Sequence, residues 1–136
     1  MNSVSGNPPG GSSAEPGRKL LVVEDEALVA LQIAILMENL GWTIMGPVGS
    51  LKDADALLEN GDRPDAAILD INIGGGTVFP LAEELYRNDV PILFCTGYED
   101  QGETDRFEGC SRVQKPWATG QMVSEVNMMM DNRKAA

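Results

Sequence analysis

Five polar residues stand at or just beyond the ends of apolar runs, where neighbouring strands of a sheet would bring side chains together. Glu24 and Asp25 follow one run, and Asp70 follows another. Thr96 and Lys115 come after two later runs. If these runs are parallel strands of one sheet, the five side chains converge at the edge where open α/β sheets bind ligands. Three carboxylates, a hydroxyl and an ammonium at that edge would bind a divalent cation and support phosphorylation of an aspartate.

The chemistry of such a site suggests a role for each residue type. Clustered carboxylates favour a hard cation such as Mg²⁺, which takes oxygen ligands. Asp70 could then attack a phosphoryl group, while the ammonium of Lys115 holds one phosphoryl oxygen and the hydroxyl of Thr96 donates to another. A nucleotide site is a poor alternative, because acidic residues 24–26 occupy the position where a glycine-rich loop would hold phosphates.

Alternating strand and helix patterns place these residues at strand ends. Apolar runs predict strands at 19–23, 42–45, 66–69, 91–95 and 112–114, and helical patterns predict helices at 26–40, 51–60, 78–88 and 118–133. A polar stretch at 99–109 predicts a short or weak further helix, and the three glycines at 74–76 predict a flexible loop. Five βα repeats would form a doubly wound (βα)5 sandwich around a five-stranded parallel sheet, an α/β fold of the flavodoxin type.

Charge and composition exclude several classes of partner. The 136 residues carry a formal net charge of −11 and include no histidine. Such an acidic surface repels phosphates, so we expect neither nucleic acid nor a membrane as a partner. The sequence has no apolar run long enough to span a membrane and no secretory signal. Because Cys95 and Cys110 give no disulfide framework either, we expect a cytoplasmic protein.

Two parts of the chain differ in composition. Residues 1–17 are rich in Gly, Pro, Ser and Asn, which predicts a disordered N-terminal tail. Residues 18–134 contain all of the strand and helix patterns and have the length of one domain. We therefore expect the chemistry to reside in a single folded domain.

Four motifs resemble the signature of the receiver domain of two-component response regulators. They are Leu21-Val22-Val23-Glu24-Asp25, Ile68-Leu69-Asp70, Thr96 and Lys115-Pro116-Trp117. They occur in the family's order, and the resemblance covers about residues 18–134. The fold it implies is that of CheY-like receivers.

The resemblance implies a role for each matching residue. Glu24 and Asp25 would be the acidic pair, with Asp25 binding Mg²⁺ directly and Glu24 acting through water. Asp70 would be the phosphoacceptor, and its carboxylate would also be a metal ligand. The main-chain carbonyl of Asn72, two residues further on, would complete the Mg²⁺ site. Thr96 and Lys115 would be the switch hydroxyl and the phosphate-contacting lysine, as a receiver site requires.

One position departs from the family pattern. Most receivers have an aromatic residue three positions before the lysine, and here that position is Arg112. The segment Phe94-Cys95-Thr96-Gly97-Tyr98 instead resembles the Phe-Ala-Thr-Gly-X-Tyr pattern of the stand-alone FATGUY receivers. We therefore take Tyr98 as the candidate switch aromatic, with simple packing as an equal alternative, and Arg112 as a solvated edge residue.

The implied function is that of a single-domain response regulator. It would accept a phosphoryl group on Asp70 from a sensor histidine kinase, which must act in trans because the chain has no histidine. As a monomer or a phosphorylation-dependent dimer, it would act on an unknown downstream protein as a switch, phosphate shuttle or phosphate sink. It would be no enzyme beyond catalysing its own phosphorylation and dephosphorylation.

Two alternatives to this function stay open. A phosphatase or phosphotransferase of the haloacid-dehalogenase type also uses an aspartyl nucleophile with Mg²⁺. Such enzymes have a second acid two residues after the nucleophile, where this chain has Asn72. A pseudo-receiver that acts by protein contact alone is disfavoured by the presence of Asp70 and Lys115. Taken singly, each of these residues would suit a strand end, a turn or a helix cap, and only their joint occurrence favours a site.

Overall fold

A five-stranded parallel sheet with helices on both faces forms the centre of the protein. The computed structural model describes residues 17–60, 62–97, 100 and 102–135, with side chains up to residue 132. In chain order the elements are β1 (Lys19–Val23), α1 (Ala27–Asn39), β2 (Thr43–Val48), α2 (Leu51–Glu59), β3 (Ala66–Asp70), β4 (Asn72–Ile73), β5 (Gly76–Thr77), α3 (Phe79–Arg87), β6 (Ile92–Thr96), β7 (Ser111–Gln114) and α4 (Thr119–Ala135). The sheet order is β2-β1-β3-β6-β7, with all neighbouring strands parallel. This topology confirms the predicted doubly wound α/β fold.

Alternation along the strands supplies one hydrophobic core to each face of the sheet. In β1, Leu21 and Val23 belong to the core beneath α2 and α3, while Leu20 and Val22 belong to the core beneath α1 and α4. Because β1, β3 and β6 are covered on both faces, they are apolar along almost their whole length. Cys95 is buried, and burial raises the pKa of its thiol to about 12. Four residues of α4 are also buried in the core: Met122, Val126, Met129 and Met130.

Strand β2 is longer than the sequence predicts. The predicted strand at 42–45 stops before Gly46 and Pro47, but β2 continues through both residues to Val48. The Val48 carbonyl accepts a hydrogen bond from the amide of Glu24 at 2.8 Å. Proline is tolerated here because β2 is an edge strand, whose outer side needs no ladder hydrogen bond. The extension fixes the backbone of Glu24 at the end of β1.

The predicted further helix at 99–109 is wrong for residues 102–109, whereas Asp100 lies in a short 3₁₀ turn. Residues 102–109, here called the turn segment, form successive turns. In one of these turns the amide of Phe107 donates a hydrogen bond to the carbonyl oxygen of Thr104 at 3.0 Å. Gly102 has a φ of +80°, which lies outside the helical region. Within the described ranges the fold therefore has four α-helices.

Side-chain contacts attach the turn segment to α3. Phe107 is buried, and its ring lies 5.2 Å from that of Phe94 and 5.5 Å from that of Tyr86. Arg106 forms an ion pair with Glu83 at 2.9 Å and lies 4.9 Å from the centre of the Phe107 ring. Tertiary contacts therefore hold this segment where the sequence pattern predicts a helix.

A short antiparallel ribbon replaces the predicted flexible loop at the three glycines. Strands β4 and β5 pair Asn72 with Thr77 and Ile73 with Gly76. The ribbon begins two residues after Asp70, so the backbone beside that residue is held by regular hydrogen bonds.

The predicted boundaries of the tail and the domain stay predictions. Residues 1–16 of the tail lie outside the described residues, as do residues 61, 98, 99, 101 and 136. Of the helices that the structure describes, none has both the length and the apolar character needed to cross a membrane.

Candidate functional site

Three carboxylates meet at the carboxyl edge of the sheet. Glu24 and Asp25 follow β1, and Asp70 ends the neighbouring strand β3. Each of the three offers an oxygen, and these oxygens all lie within 4.8 Å of one another. Glu24 and Asp70 are buried, whereas Asp25 is exposed. The structure therefore brings together the three acidic side chains that the sequence predicts.

The side chain of Lys115 extends from the loop after β7 toward these three carboxylates. Its Nζ lies 3.0 Å from Oε1 of Glu24 and 3.2 Å from Oδ2 of Asp70. A third carboxylate, that of Glu26, lies 3.4 Å from the same Nζ. The sequence prediction did not give Glu26 this contact, although its place next to the acidic pair was a signal. Glu24, Asp25, Asp70 and Lys115 are here called the charged pocket.

The charged pocket changes the pKa of two of its members in different ways. Burial and the charge of Glu24 raise the pKa of Asp70 from 3.8 to about 7, although Lys115 opposes the change. Burial would lower the pKa of Lys115, but the bonds and charges of Glu24 and Asp70 outweigh it and raise that pKa. Three carboxylates lie within 3.4 Å of this one cation. Without a metal, the charged pocket therefore has an excess of negative charge.

The donor set of the charged pocket fits a hard divalent cation. Its three acidic side chains offer only oxygen ligands, as Mg²⁺ prefers. Oε1 of Glu24 is buried and lies 3.0 Å from the ammonium of Lys115. The carboxylate of Asp25 is held by a backbone amide, because its Oδ2 accepts a hydrogen bond from the amide of Gly74 at 3.2 Å. A cation here would neutralise the charge that one ammonium leaves on three carboxylates.

Thr96 lies on β6, the strand next to Asp70, but faces a different partner. Its Oγ1 donates to the carbonyl oxygen of Val113 at a long 3.5 Å. The residue is half-buried and lines a cleft of about 390 Å³ together with Arg112 and Gln114. The structure thus places Thr96 beside the charged pocket without a hydrogen bond to Asp70.

Asn72 is joined to a residue that the sequence prediction missed. Its Nδ2 donates to Oδ1 of Asp100 at 3.1 Å, and the other oxygen of Asp100 accepts from the amide of Gly97 at 2.8 Å. Asp100 is only 5% exposed. An acid four residues beyond Thr96 was the available signal, but its partner lies 28 residues away in sequence.

The predictions for Tyr98, the candidate switch aromatic, and for Arg112, the solvated edge residue, have different outcomes. Tyr98 lies outside the described residues, so its switch role stays a prediction. Arg112 is exposed on β7 as predicted, but it is also hydrogen-bonded. Its guanidinium donates to Oγ1 of Thr104, to the Thr104 carbonyl at 3.1 Å and to Asp105 at 3.4 Å. Arg112 therefore attaches the turn segment to the sheet edge.

Comparisons with known proteins point to one group of regulators. No family model matches the chain. The Phyllosphere-induced regulator PhyR of Methylorubrum extorquens is 24% identical over 127 residues, which cover 91% of this chain and 48% of that protein. The chain thus spans about half the length of that curated relative.

Solved structures match over nearly their whole length. SdrG from Sphingomonas melonis Fr1 is 33% identical, with a TM-score of 0.73 over 86% of this chain and 99% of that one. The PhyR response regulator REC domain from Erythrobacter litoralis is 25% identical, with a TM-score of 0.75 over 85% of this chain and 92% of that one. Both the sequence and the fold are therefore similar to those of proteins in this group.

Proposed function

The chain belongs to the response regulator receiver family, and on that premise we propose that it is a Mg²⁺-dependent phosphoryl acceptor whose acceptor is Asp70. One observation supports this most directly. The buried carboxylate of Asp70 lies 3.2 Å from the ammonium of Lys115 and within 4.8 Å of oxygens of Glu24 and Asp25. A nucleophile, a cation for the phosphoryl oxygens and two further acids thus share one pocket.

Phosphorylation would proceed by attack of Asp70 on a phosphohistidine. A carboxylate oxygen of Asp70 forms a bond to phosphorus, the bond from phosphorus to the imidazole nitrogen breaks, and that nitrogen keeps the electron pair. Lys115 pairs with an oxygen of the transferred group and stabilises its charge. Bound Mg²⁺ would supply further charge neutralisation, held by Asp25, Asp70 and the main-chain carbonyl of Asn72, with Glu24 acting through water.

The donor would be a sensor histidine kinase, and the output would be a change in protein contacts. None of the 136 residues is a histidine, so the phosphohistidine that donates the group lies outside this sequence. A switch, a shuttle and a phosphate sink are all compatible with such an acceptor. The single-domain organisation, the cytoplasmic location and the oligomeric state predicted from the sequence stay predictions.

No observation favours the phosphatase alternative. Its second acid would stand two residues after Asp70, where Asn72 donates its amide to Asp100. A carboxamide has no ionisable proton near neutral pH and therefore cannot act as the general acid for a leaving group. We therefore expect one stoichiometric phosphorylation rather than steady turnover of phosphate esters.

Labelling with acetyl phosphate tests the proposed function. Intact-mass measurement should show one phosphoryl group on the wild type in the presence of Mg²⁺, and none when EDTA replaces the metal. The Asp70→Asn variant should stay unlabelled. Asp131→Asn, which removes an exposed carboxylate on α4, should label as the wild type does. Labelling that survives Asp70→Asn, or multiple turnovers of a small phosphate ester, would refute the proposal.

A further inference from the structure

Asp100 joins two loops at the carboxyl edge of the sheet, and none of the roles above uses it. One of its oxygens accepts from Asn72 Nδ2 at 3.1 Å, and the other accepts from the Gly97 amide at 2.8 Å. Asn72 is the second residue after Asp70, and Gly97 is the first after Thr96. A single carboxylate thus connects the loop of the phosphoacceptor to the strand end of the switch hydroxyl.

Asp100 is buried, and its hydrogen bonds stabilise this connection between the two loops. A buried carboxylate costs free energy unless its oxygens accept hydrogen bonds, and both oxygens of Asp100 do so. Hydrogen bonds to an ionised acceptor are stronger than those between neutral groups. The backbone of Asp100 is held as well: its amide donates to the Gly97 carbonyl at 3.2 Å, and its carbonyl accepts from Glu103 at 3.3 Å. Backbone hydrogen bonds therefore hold Asp100 in place, so its carboxylate can restrain the side chain of Asn72.

We propose that Asp100 is a positioning residue for the metal site. It restrains the loop at Asn72, whose main-chain carbonyl is the proposed third protein oxygen for Mg²⁺, and connects that loop to Gly97. This inference rests on the proposed function and adds to it a side chain that touches neither the metal nor the phosphoryl group. Hydrogen bonds behind metal ligands commonly change metal affinity by about 10- to 100-fold.

A double-mutant cycle on Mg²⁺ affinity separates this role from a general effect of charge. Asp100→Asn replaces one acceptor oxygen by an NH₂ donor, so either Asn72 or Gly97 then faces a donor. We expect Mg²⁺ binding, followed by NMR titration, to weaken about five- to tenfold. Asn72→Ala, at an exposed position, removes the same hydrogen bond from its other end and should weaken binding by a similar factor.

The combined variant gives the discriminating result. If Asp100 acts through Asn72, Asp100→Asn should weaken binding by less than about twofold in the Asn72→Ala background. If Asp100 acts only through its charge, the full five- to tenfold loss persists there, and the inference is overturned. Asp131→Asn removes the same charge from an exposed site on α4 and should leave Mg²⁺ affinity unchanged.

The other possible results also test whether Asp100 positions the metal site. A folded Asp100→Asn variant with wild-type Mg²⁺ affinity would overturn this inference and leave the proposed function standing. If Asp100→Asn does not fold, Asn72→Ala decides alone, because unchanged affinity in that variant contradicts the restraint. A wild type that binds no Mg²⁺ would overturn the proposed function together with this inference.

Discussion

The charged pocket and the turn segment are held in opposite ways. In the charged pocket, buried strands position the acids, and ion pairs of 3.0 and 3.2 Å connect Lys115 to Glu24 and Asp70. In the turn segment, contacts with α3 and β7 replace regular secondary structure, and Phe107 and Arg112 make many of them. The difference indicates that strand ends fix the residues of the charged pocket, whereas side-chain contacts fix the turn segment.

The largest effect is expected from removing the cation of the charged pocket. Lys115→Gln leaves the transferred phosphoryl oxygens without their ammonium, and we expect the rate of phosphorylation by acetyl phosphate to fall by about 100-fold or more. Lys52→Gln, at an exposed position on α2, provides the matched control and should react at the wild-type rate.

This prediction depends on the fold being kept, so circular dichroism of the Lys115→Gln variant should accompany the rate. A folded variant that is phosphorylated at the wild-type rate would show that Lys115 only balances charge.

A smaller effect is expected on the pH dependence of stability without metal. The pKa of Asp70 is raised from 3.8 to about 7, so between these values the folded protein holds a proton that the unfolded chain has lost. Stability from this group is complete at low pH and is lost as the pH rises through about 7. Each pH unit in this interval corresponds to about 1.4 kcal/mol. Raising the pH from about 5 to about 8 should therefore lower the free energy of unfolding by about 2 kcal/mol.

Urea denaturation in EDTA at about pH 5 and about pH 8 measures this loss. The Asp70→Asn variant, which cannot titrate at this position, should show a smaller decrease between the two pH values than the wild type. Parallel decreases in the two proteins would mean that Asp70 is not the group responsible.

The smallest effect concerns the two arginines that hold the turn segment. Arg112→Gln leaves the oxygens of Thr104, a residue only 1% exposed, without their guanidinium donor, and should lower the free energy of unfolding by about 1 kcal/mol. Arg106→Gln removes the same charge, but its ion pair is about half exposed, so its cost should be about 0.5 kcal/mol.

Amide hydrogen exchange in residues 102–109 should increase in both variants, while acetyl phosphate labelling should change by less than about twofold. A strong loss of labelling in either variant would contradict the separation between the charged pocket and the turn segment.

The same contrast explains what could be predicted from the sequence. Strands β1, β3 and β6 are covered on both faces, so their apolar runs are distinct and the acids at their ends are easily recognised. The turn segment gave no such signal. Its contacts through Phe107 and Arg106 depend on where α3 lies, which local sequence patterns do not contain.

Local sequence patterns also failed to predict two features of the site and its surroundings. Asp100 lies four residues beyond Thr96 and bonds to Asn72, and no spacing rule links two polar residues on different loops. The extension of β2 to Val48 was missed because Gly46 and Pro47 usually end a strand, whereas an edge position tolerates them.

Locating the phosphoryl group tests the central claim most directly. Reduction of the labelled protein with borohydride converts a phosphorylated aspartate to homoserine, and peptide mass spectrometry then identifies its position. We predict that the wild type, labelled with acetyl phosphate and Mg²⁺, contains this change at Asp70 and at no other carboxylate. A reduced residue at Asp25 or elsewhere, or no reduced residue at all in a labelled protein, would contradict it.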